Sequence, residues 1–471
     1  MKYIITSDIK IKFENIGEYK FYFIGILGSG MSAIAKFLKL KGAQVFGSDR
    51  GYSNFKKTNL AIELENIGCQ IYNQNGKHLE KNIDYAVVST AIERDNPDVV
   101  KAIEYNIPII HRADLLAYIV NQNKTITIAG TSGKSTTTGI IGYLLKKSGI
   151  NVNIMTGAAI KKIGNNNKTS NCIVGASDIF IIETDESDGT IVKYKPNIAV
   201  LTNVSKDHKT IEELKILFQE YVNNAEIAVL INIDDKLSLE LDYSNKKTIK
   251  IGMNKEADYR ISNITEERNY TSFLVNNNEY LIQLPGIYNV YNSAFAIAIA
   301  EMFDIEYELI KSILSEFEGV SDRYEFYRNS EPTILYDYAH NPAKIDAVLG
   351  HLSKFYKKIL FIYQPHGYQP TYFLKDELYK VFENYFFNDS HKIILKEIYY
   401  AGGTVEKKIT SEQIVEELKK KNVNIAWAVN DEFIIEYIKK VKDIYDVIVI
   451  AGARDPKLRA LCENIAELFN N

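Results

Sequence analysis

Short runs of β-branched and aromatic residues recur along the chain. Each ends in a cluster of Gly, Ser, Thr, Asp or His, and most are followed by a stretch with helical spacing of its apolar positions. The runs are Phe21–Ile24, Gln44–Phe46, Tyr85–Val88, Thr125–Ile128, Ile179–Ile182, Ile198–Leu201, Thr333–Leu335, Ile359–Ile362 and Val447–Ile450. Continuous apolar runs, rather than alternating ones, are what strands buried on both faces require, and amphipathic helices between them supply the cover. The pattern predicts an α/β chain whose sheets are largely parallel. In such sheets ligands sit beyond the carboxyl ends of the strands, where the polar clusters fall. Asn121–Lys124 and Gly319–Glu325 read as breaks, giving expected domains at 1–122, 123–324 and 325–471. Gly164–Ser170 reads as a loop and Asn276–Asn278 as a hairpin turn.

Composition changes this picture little. A chain of 471 residues is long for one core and suits three domains of ordinary size. Sixty acidic against 56 basic residues give no electrostatic reason to expect nucleic acid or an anionic membrane as partner. Cys69, Cys172 and Cys462 are far apart and read as small buried hydrophobes in a reducing compartment. No apolar run approaches the ~18 residues of a membrane span, and the N-terminal stretch carries charges where a signal peptide needs apolar residues. The expectation is a cytoplasmic protein without membrane insertion.

The candidate chemistry is concentrated in GTSGKST, Gly130 to Thr136, set between the run TITIA and a helical stretch. A glycine turn before a helix lets backbone N–H groups surround phosphate oxygens. Lys134 would reach the outer phosphates and Ser135 would offer its hydroxyl to Mg²⁺. Glu183 opens ETDESD, four acids in six residues, and carboxylates are the hard ligands that Mg²⁺ takes. Asp207-His208 follows another buried run, and His208 is a further metal candidate.

Taken in order, GILGSGMSAIA (25–35), VFGSD (45–49), AVVSTAIERDNPDVVKAIEYNIPIIHRADLLA (86–117), GTSGKSTTT, ETDESD, TNVSKDH, GIYNVYNSAFAIAIA (286–300), GVSDRYEF (319–326), DYAHNP (337–342), YQPH (363–366) and YYAGG (399–403) resemble the Mur ligase family, and within it the MurC-type ligases. The resemblance spans about the whole chain. It implies a Rossmann-like N-terminal domain for a UDP-sugar, a central P-loop ATPase-like domain for ATP and Mg²⁺, and a Rossmann-like C-terminal domain for an acceptor amino acid. It further implies ATP-dependent amide formation through an acyl phosphate in peptidoglycan precursor synthesis, with UDP-N-acetylmuramate and L-alanine as substrates and a monomer or weak homodimer as the working form. By position, Gly130, Thr131, Ser132, Gly133, Lys134, Ser135, Thr136, Asn289, Arg323 and Asp337 would hold ATP, and Ser135, Glu183 and His208 the metal. Lys134, Glu183, His208 and Arg323 would carry catalysis. Gly25, Gly28, Gly30, Ser48, Asp49, Ser89, Thr90, Ser187 and Asp188 would meet the UDP-sugar, and Tyr338, His340, His366 and Arg454 the acceptor.

The sequence departs from that family in places. Leu27 stands where a dinucleotide fingerprint has its middle glycine, and with Asp49 about 20 residues on, a nicotinamide dinucleotide site is the alternative for that turn. Ser132 and Tyr288 replace histidines. The family's H-R-x-x-R-T becomes His366-Gly367-Tyr368-Gln369-Pro370-Thr371, which removes both arginines. A carboxylate is met best by the planar fork of arginine, so Arg454 is the expected substitute. Two other readings stay open on sequence alone: a relative that takes another amino acid or a preformed peptide, and a non-catalytic scaffold that binds nucleotide or UDP-sugar.

Overall fold

The computed structural model describes residues 9–53, 57–164, 169–186, 189–206, 209–400 and 407–469. They form three sheets in chain order. The first holds five parallel strands in the order Gln70–Asn73, Gln44–Asp49, Lys20–Ile24, Tyr85–Val88, Ile109–His111. The chain winds outward from Lys20–Ile24 and then returns to its other side. This puts a topological switch point between the loops after Lys20–Ile24 and Tyr85–Val88, the place where such sheets bind ligands.

The second sheet has ten strands, with Lys124–Ala129 inside it between Ile198–Leu201 and Ile179–Glu183. Its parallel part runs on to Tyr259–Glu266 and is extended there by Thr271–Val275 and Asn278–Ile282, each antiparallel to the strand before it. The hairpin read from the sequence is there: Val275 pairs with Asn278, and Asn276 and Asn277 both carry positive φ, 49° and 68°. That is the geometry of a two-residue turn matched to strand twist. At the other end Asn153–Ile160 pairs antiparallel with Ser170–Ile173, so Ser170 begins a strand and is not part of the expected loop. Asn165 to Lys168 of that loop lie outside the described residues.

The third sheet is parallel except for its edge strand Glu325–Arg328, and it runs on through Thr333–Asp337, Val447–Gly452, Ile359–Gln364, Lys392–Lys396 and Ile425–Ala428. Asp337, Ala451 and Tyr363 stand level across three neighbouring strands, so the loops that follow them emerge side by side.

The helix Ser29–Leu40 of the first unit packs on the strands Asn153–Ile160 and Ser170–Ile173 of the second. Phe37, Leu38, Met155, Cys172, Phe180, Ile182 and Tyr194 belong to one continuous apolar core, with the Phe37 and Phe180 rings 5.2 Å apart. The third unit keeps its apolar clusters to itself among the described residues. All three cysteines are buried and unbonded, as expected. No helix of the described residues is long and apolar enough to cross a membrane.

Candidate active site

The loop from Gly130 into the helix Lys134–Lys147 is shaped by two glycines in backbone that L side chains rarely adopt, Gly130 at φ 129° and Gly133 at φ 84°. A Cβ at Gly130 would collide with Thr202 Oγ1, and one at Gly133 would fall 2.7 Å from Asn292 Oδ1. Two neighbours therefore press on the loop, one from the strand end after Leu201 and one from the helix Ile287–Met302. Lys134 Nζ donates to Glu186 Oε2 at 2.7 Å and to Gly130 O at 2.6 Å. Burial pulls its ammonium down, but the carboxylates of Glu186, Asp185 and Glu183 outweigh that and raise it, so the lysine is charged. Glu186 was present in the acidic run but not singled out by sequence reasoning; its partner lies 52 positions away.

Ser135 Oγ donates to Glu183 Oε2 at 2.6 Å, and the N–H of Gly157 donates to Glu183 Oε1. A Cβ at residue 157 would strike that oxygen. The two expected magnesium ligands are thus adjacent, and their hydroxyl and carboxylate oxygens are the donor set a hard divalent cation takes. His208, Ser187 and Asp188 lie outside the described residues. Among the described residues no cluster of three or more His, Cys, Asp or Glu forms a metal site alone.

A cavity of about 240 Å³ lies between the second and third units, and it gathers residues from four distant stretches: Thr131–Thr136, Asn289, Arg323 and Asp337 with Tyr338. Arg323 stacks its guanidinium on the Tyr338 ring at 4.4 Å and donates to Asp322 O at 3.1 Å. Asp337 accepts from the N–H of Tyr324 at 2.8 Å and of Ala339 at 2.7 Å. Burial lifts its carboxyl above the usual range, against the lowering influence of Arg323 and those two N–H groups. Asn289 is buried, with its amide spanning from Pro285 O (2.7 Å) to Asn292 Nδ2 (3.2 Å). Asn292, not anticipated from sequence, continues that chain to Thr137 Oγ1 at 3.0 Å. The lining combines the cations of Lys134 and Arg323 and the N–H groups of the loop with the apolar side chains of Leu284, Phe295 and Val348. That combination suits a nucleotide triphosphate.

Tyr338 lines this large cavity, whereas His340 and His366 face a small separate one with Tyr363 and Pro370. His366 stacks on Tyr399 at 5.9 Å, and His340 Nδ1 lies 2.9 Å from Tyr338 O. Arg454 is exposed, in left-handed backbone at φ 67°, just past the end of Val447–Gly452. The expected acceptor residues are thus split over two cavities and an exposed loop, all at the carboxyl edge of the third sheet.

The expected UDP-sugar residues form a different cluster, around the switch point of the first sheet. Gly25 has φ 85° and its N–H meets Ser48 O at 2.7 Å. Leu27, the departure from the fingerprint, donates its N–H to Asp49 Oδ2 at 3.1 Å, so Asp49 closes the turn from outside. Gly28 precedes the helix Ser29–Leu40 in ordinary extended backbone. Arg112 packs on Gly30, where a Cβ would fall 2.9 Å from its Nη1; this cation was missed because only folding brings it to the helix start. Ser48 is fully buried with its hydroxyl given to Asp98 Oδ2 at 2.5 Å, so it supports the turn through its carbonyl. Ser89 and Thr90 flank the opposite side of the switch point, Thr90 being exposed.

Family-level sequence profiles match in three successive blocks: "Mur ligase family, catalytic domain" over 20–124, "Mur ligase middle domain" over 128–300 and "Mur ligase, glutamate ligase domain" over 322–454. Among curated relatives, the UDP-N-acetylmuramate–L-alanine ligase of Sulfurihydrogenibium sp. is 31% identical over 444 residues, 92% of this chain and 94% of that protein. The ligase of the same name from Dictyoglomus turgidum is 34% identical over 452 residues, again 92% and 94%. Among solved structures, the UDP-N-acetylmuramate–alanine ligase MurC of Thermotoga maritima superimposes with a TM-score of 0.76 at 22% identity, covering 96% of this chain and 99% of that one. A murein peptide ligase of Psychrobacter arcticus gives 0.69 at 20% identity, covering 95% and 99%.

Proposed function

From its membership of the Mur ligase family, to which this chain belongs, we propose that it joins UDP-N-acetylmuramate to L-alanine at the cost of ATP. The single observation that carries this reading is the cavity between the second and third units. There the phosphate loop, Arg323 and Asp337 meet at a strand-end position that neither unit completes alone. Curated relatives 31% and 34% identical carry the L-alanine name, which favours that acceptor over a preformed peptide.

The residues perform the following parts. Backbone N–H groups at the start of Lys134–Lys147 and the Lys134 ammonium hold the outer phosphates, and Asp337 takes ribose hydroxyls. A magnesium ion held by Ser135, Glu183 and His208 would draw charge from the phosphate oxygens. The substrate carboxylate, arriving from the first unit, attacks the terminal phosphorus, whose bond to the bridging oxygen breaks so that ADP leaves with that electron pair; Lys134 and Arg323 balance the charge spread over the transferring group. The acceptor amine then attacks the acyl carbon, loses a proton, and phosphate leaves. Arg454 meets the acceptor carboxylate in place of the family's two arginines. The dinucleotide alternative for the first glycine turn is not favoured, since the Mur ligase family profile covers that turn within residues 20–124.

The test is release of phosphate from ATP and Mg²⁺ with UDP-N-acetylmuramate, across L-alanine, other amino acids and short peptides. Release with L-alanine supports the reading, and release only with another acceptor replaces the substrate. An Arg454→Ala variant should raise the KM of L-alanine and leave that of ATP unchanged; an unchanged L-alanine KM removes Arg454 from the site.

A further inference from the structure

Resting on the reading of the cavity as a nucleotide site, we propose that Asn203 is the positioning residue that sets the curvature of the phosphate loop. Asn203 follows the strand Ile198–Leu201, which lies beside Lys124–Ala129 in the sheet, so its side chain reaches the loop from the next strand end.

The contact is two-sided. Asn203 Oδ1 accepts from the N–H of Ser132 at 3.1 Å, and Asn203 Nδ2 donates to the carbonyl of the same residue at 2.9 Å. Oδ1 also accepts from Thr131 Oγ1 at 2.8 Å, and the Asn203 carbonyl accepts from the N–H of Thr131 at 3.1 Å. One carboxamide thus satisfies both backbone polar groups of Ser132. The Ser132 hydroxyl is buried without a partner among the described residues, so that residue is held through its backbone. Thr202 and Ser205 complete the clasp: Thr202 Oγ1 donates to Ser132 O at 2.7 Å, and Ser205 N–H donates to Thr131 Oγ1 at 2.9 Å.

The chemistry of the clasp restricts the residue type. A carboxamide is a donor and an acceptor at once, whereas a carboxylate only accepts. Aspartate at 203 would keep the bond from Ser132 N–H and turn an anion toward the Ser132 carbonyl and toward incoming phosphate. Because the Ser132 N–H is spent on Asn203, the anion-binding N–H groups are those from Gly133 onward, and Asn203 fixes where they point. A donor array has to stand in place before the reaction to be worth its full strength. A displacement of about 1 Å from the productive geometry can cost on the order of 100-fold in rate.

The experiment compares Asn203→Ala and Asn203→Asp with the unsubstituted chain in three measurements: steady-state phosphate release, melting temperature without ligand, and the upward shift of that temperature on adding ATP and Mg²⁺. A positioning role predicts that kcat/KM for ATP falls about 100-fold and that kcat stays low at saturating ATP. The KM values for UDP-N-acetylmuramate and acceptor should move less than about twofold, and the ligand-free melting temperature should stay within about 2 °C. Asn203→Asp should be the more damaged of the two. Turnover within about threefold of the unsubstituted chain overturns the proposal, as does a loss matched by a lower ligand-free melting temperature and reversed on cooling. If the unsubstituted chain releases no phosphate with any acceptor, the functional reading fails. The ATP-induced shift, retained by Asn203→Ala or lost, then decides the role of Asn203 by itself.

Discussion

The second unit meets its two neighbours in opposite ways. Against the first it buries apolar side chains in a shared core, with Phe37 against Phe180 and the aliphatic stem of Lys36 carried in beside them to reach Glu63 and Asn171. Against the third it makes directional polar contacts. Arg268 donates to Tyr356 and Thr333 and stacks on the Tyr356 ring, Glu266 pairs with His351 and Lys354, and Lys206 pairs with Glu377. Apolar burial is lost in proportion to the area exposed, so such a joint cannot open part-way without cost. The half-exposed Lys206–Glu377 pair exchanges with water for little, whereas His351 is buried and Glu266 nearly so at the same joint. The first two units are therefore joined through a shared apolar core, and the third is joined to the second through polar contacts.

Substitutions can break that contrast. Phe37→Ala should have the largest effect: a loss of about 3–5 kcal/mol in unfolding free energy, with the first two units still melting as one transition by calorimetry. Separate melting of the first unit in the unsubstituted chain would refute the shared core. Next is Lys134→Ala, which leaves both joints intact and removes the charge at the cavity. It should cost about 3 kcal/mol in the barrier, read as a fall of roughly 100-fold in phosphate release, and the buried Glu186 left without its cation should lower the melting temperature as well. Arg268→Ala strips the polar joint and should cost about 1–2 kcal/mol, visible as an earlier transition of the third unit and a higher KM for ATP.

Glu266 gives the same joint a pH signature. Burial pushes its carboxyl up, but hydrogen bonds from Lys354 and His351 outweigh this and hold it below the ordinary glutamate range. The folded value is depressed, so its contribution is complete above about pH 4.3 and is lost as the pH falls through and below that region. Glu266→Gln should remove this acid limb from the stability of the joint, measured by hydrogen exchange across it. The smallest effect belongs to Glu377→Gln, about 0.2–1 kcal/mol, and it should vanish at high salt; a salt-independent loss would mean that Lys206–Glu377 is more than a surface latch.

The strands and the phosphate loop were more legible in the sequence than the contacts between units. All nine apolar runs are strands, because continuous β-branched runs have few other ways to be buried. The phosphate loop could be read because its residues are contiguous. The cavity could be assigned only by resemblance, since Thr131, Asn289, Arg323 and Asp337 are brought together by folding alone. Tyr259–Glu266 escaped notice because it is an alternating, half-exposed strand with charged residues at both ends. The clasp of Asn203 on Ser132 spans 71 positions and leaves no local pattern. The departures at Gly367 and Pro370 were visible, but their structural answer, a loop that starts a short helix at Tyr368–Phe373, was not.

The buried cysteines extend the contrast into a different kind of measurement. Only a thiolate reacts readily with disulfide or alkylating reagents, and burial lifts the Cys69 thiol to about 11, the Cys172 thiol to about 12 and the Cys462 thiol further still. The native chain should consequently ignore such reagents. Cys172 lies in the core shared by the first two units and Cys462 in a core private to the third. Pulse labelling followed by mass spectrometry would thus time the opening of the two cores against each other in an unmodified protein.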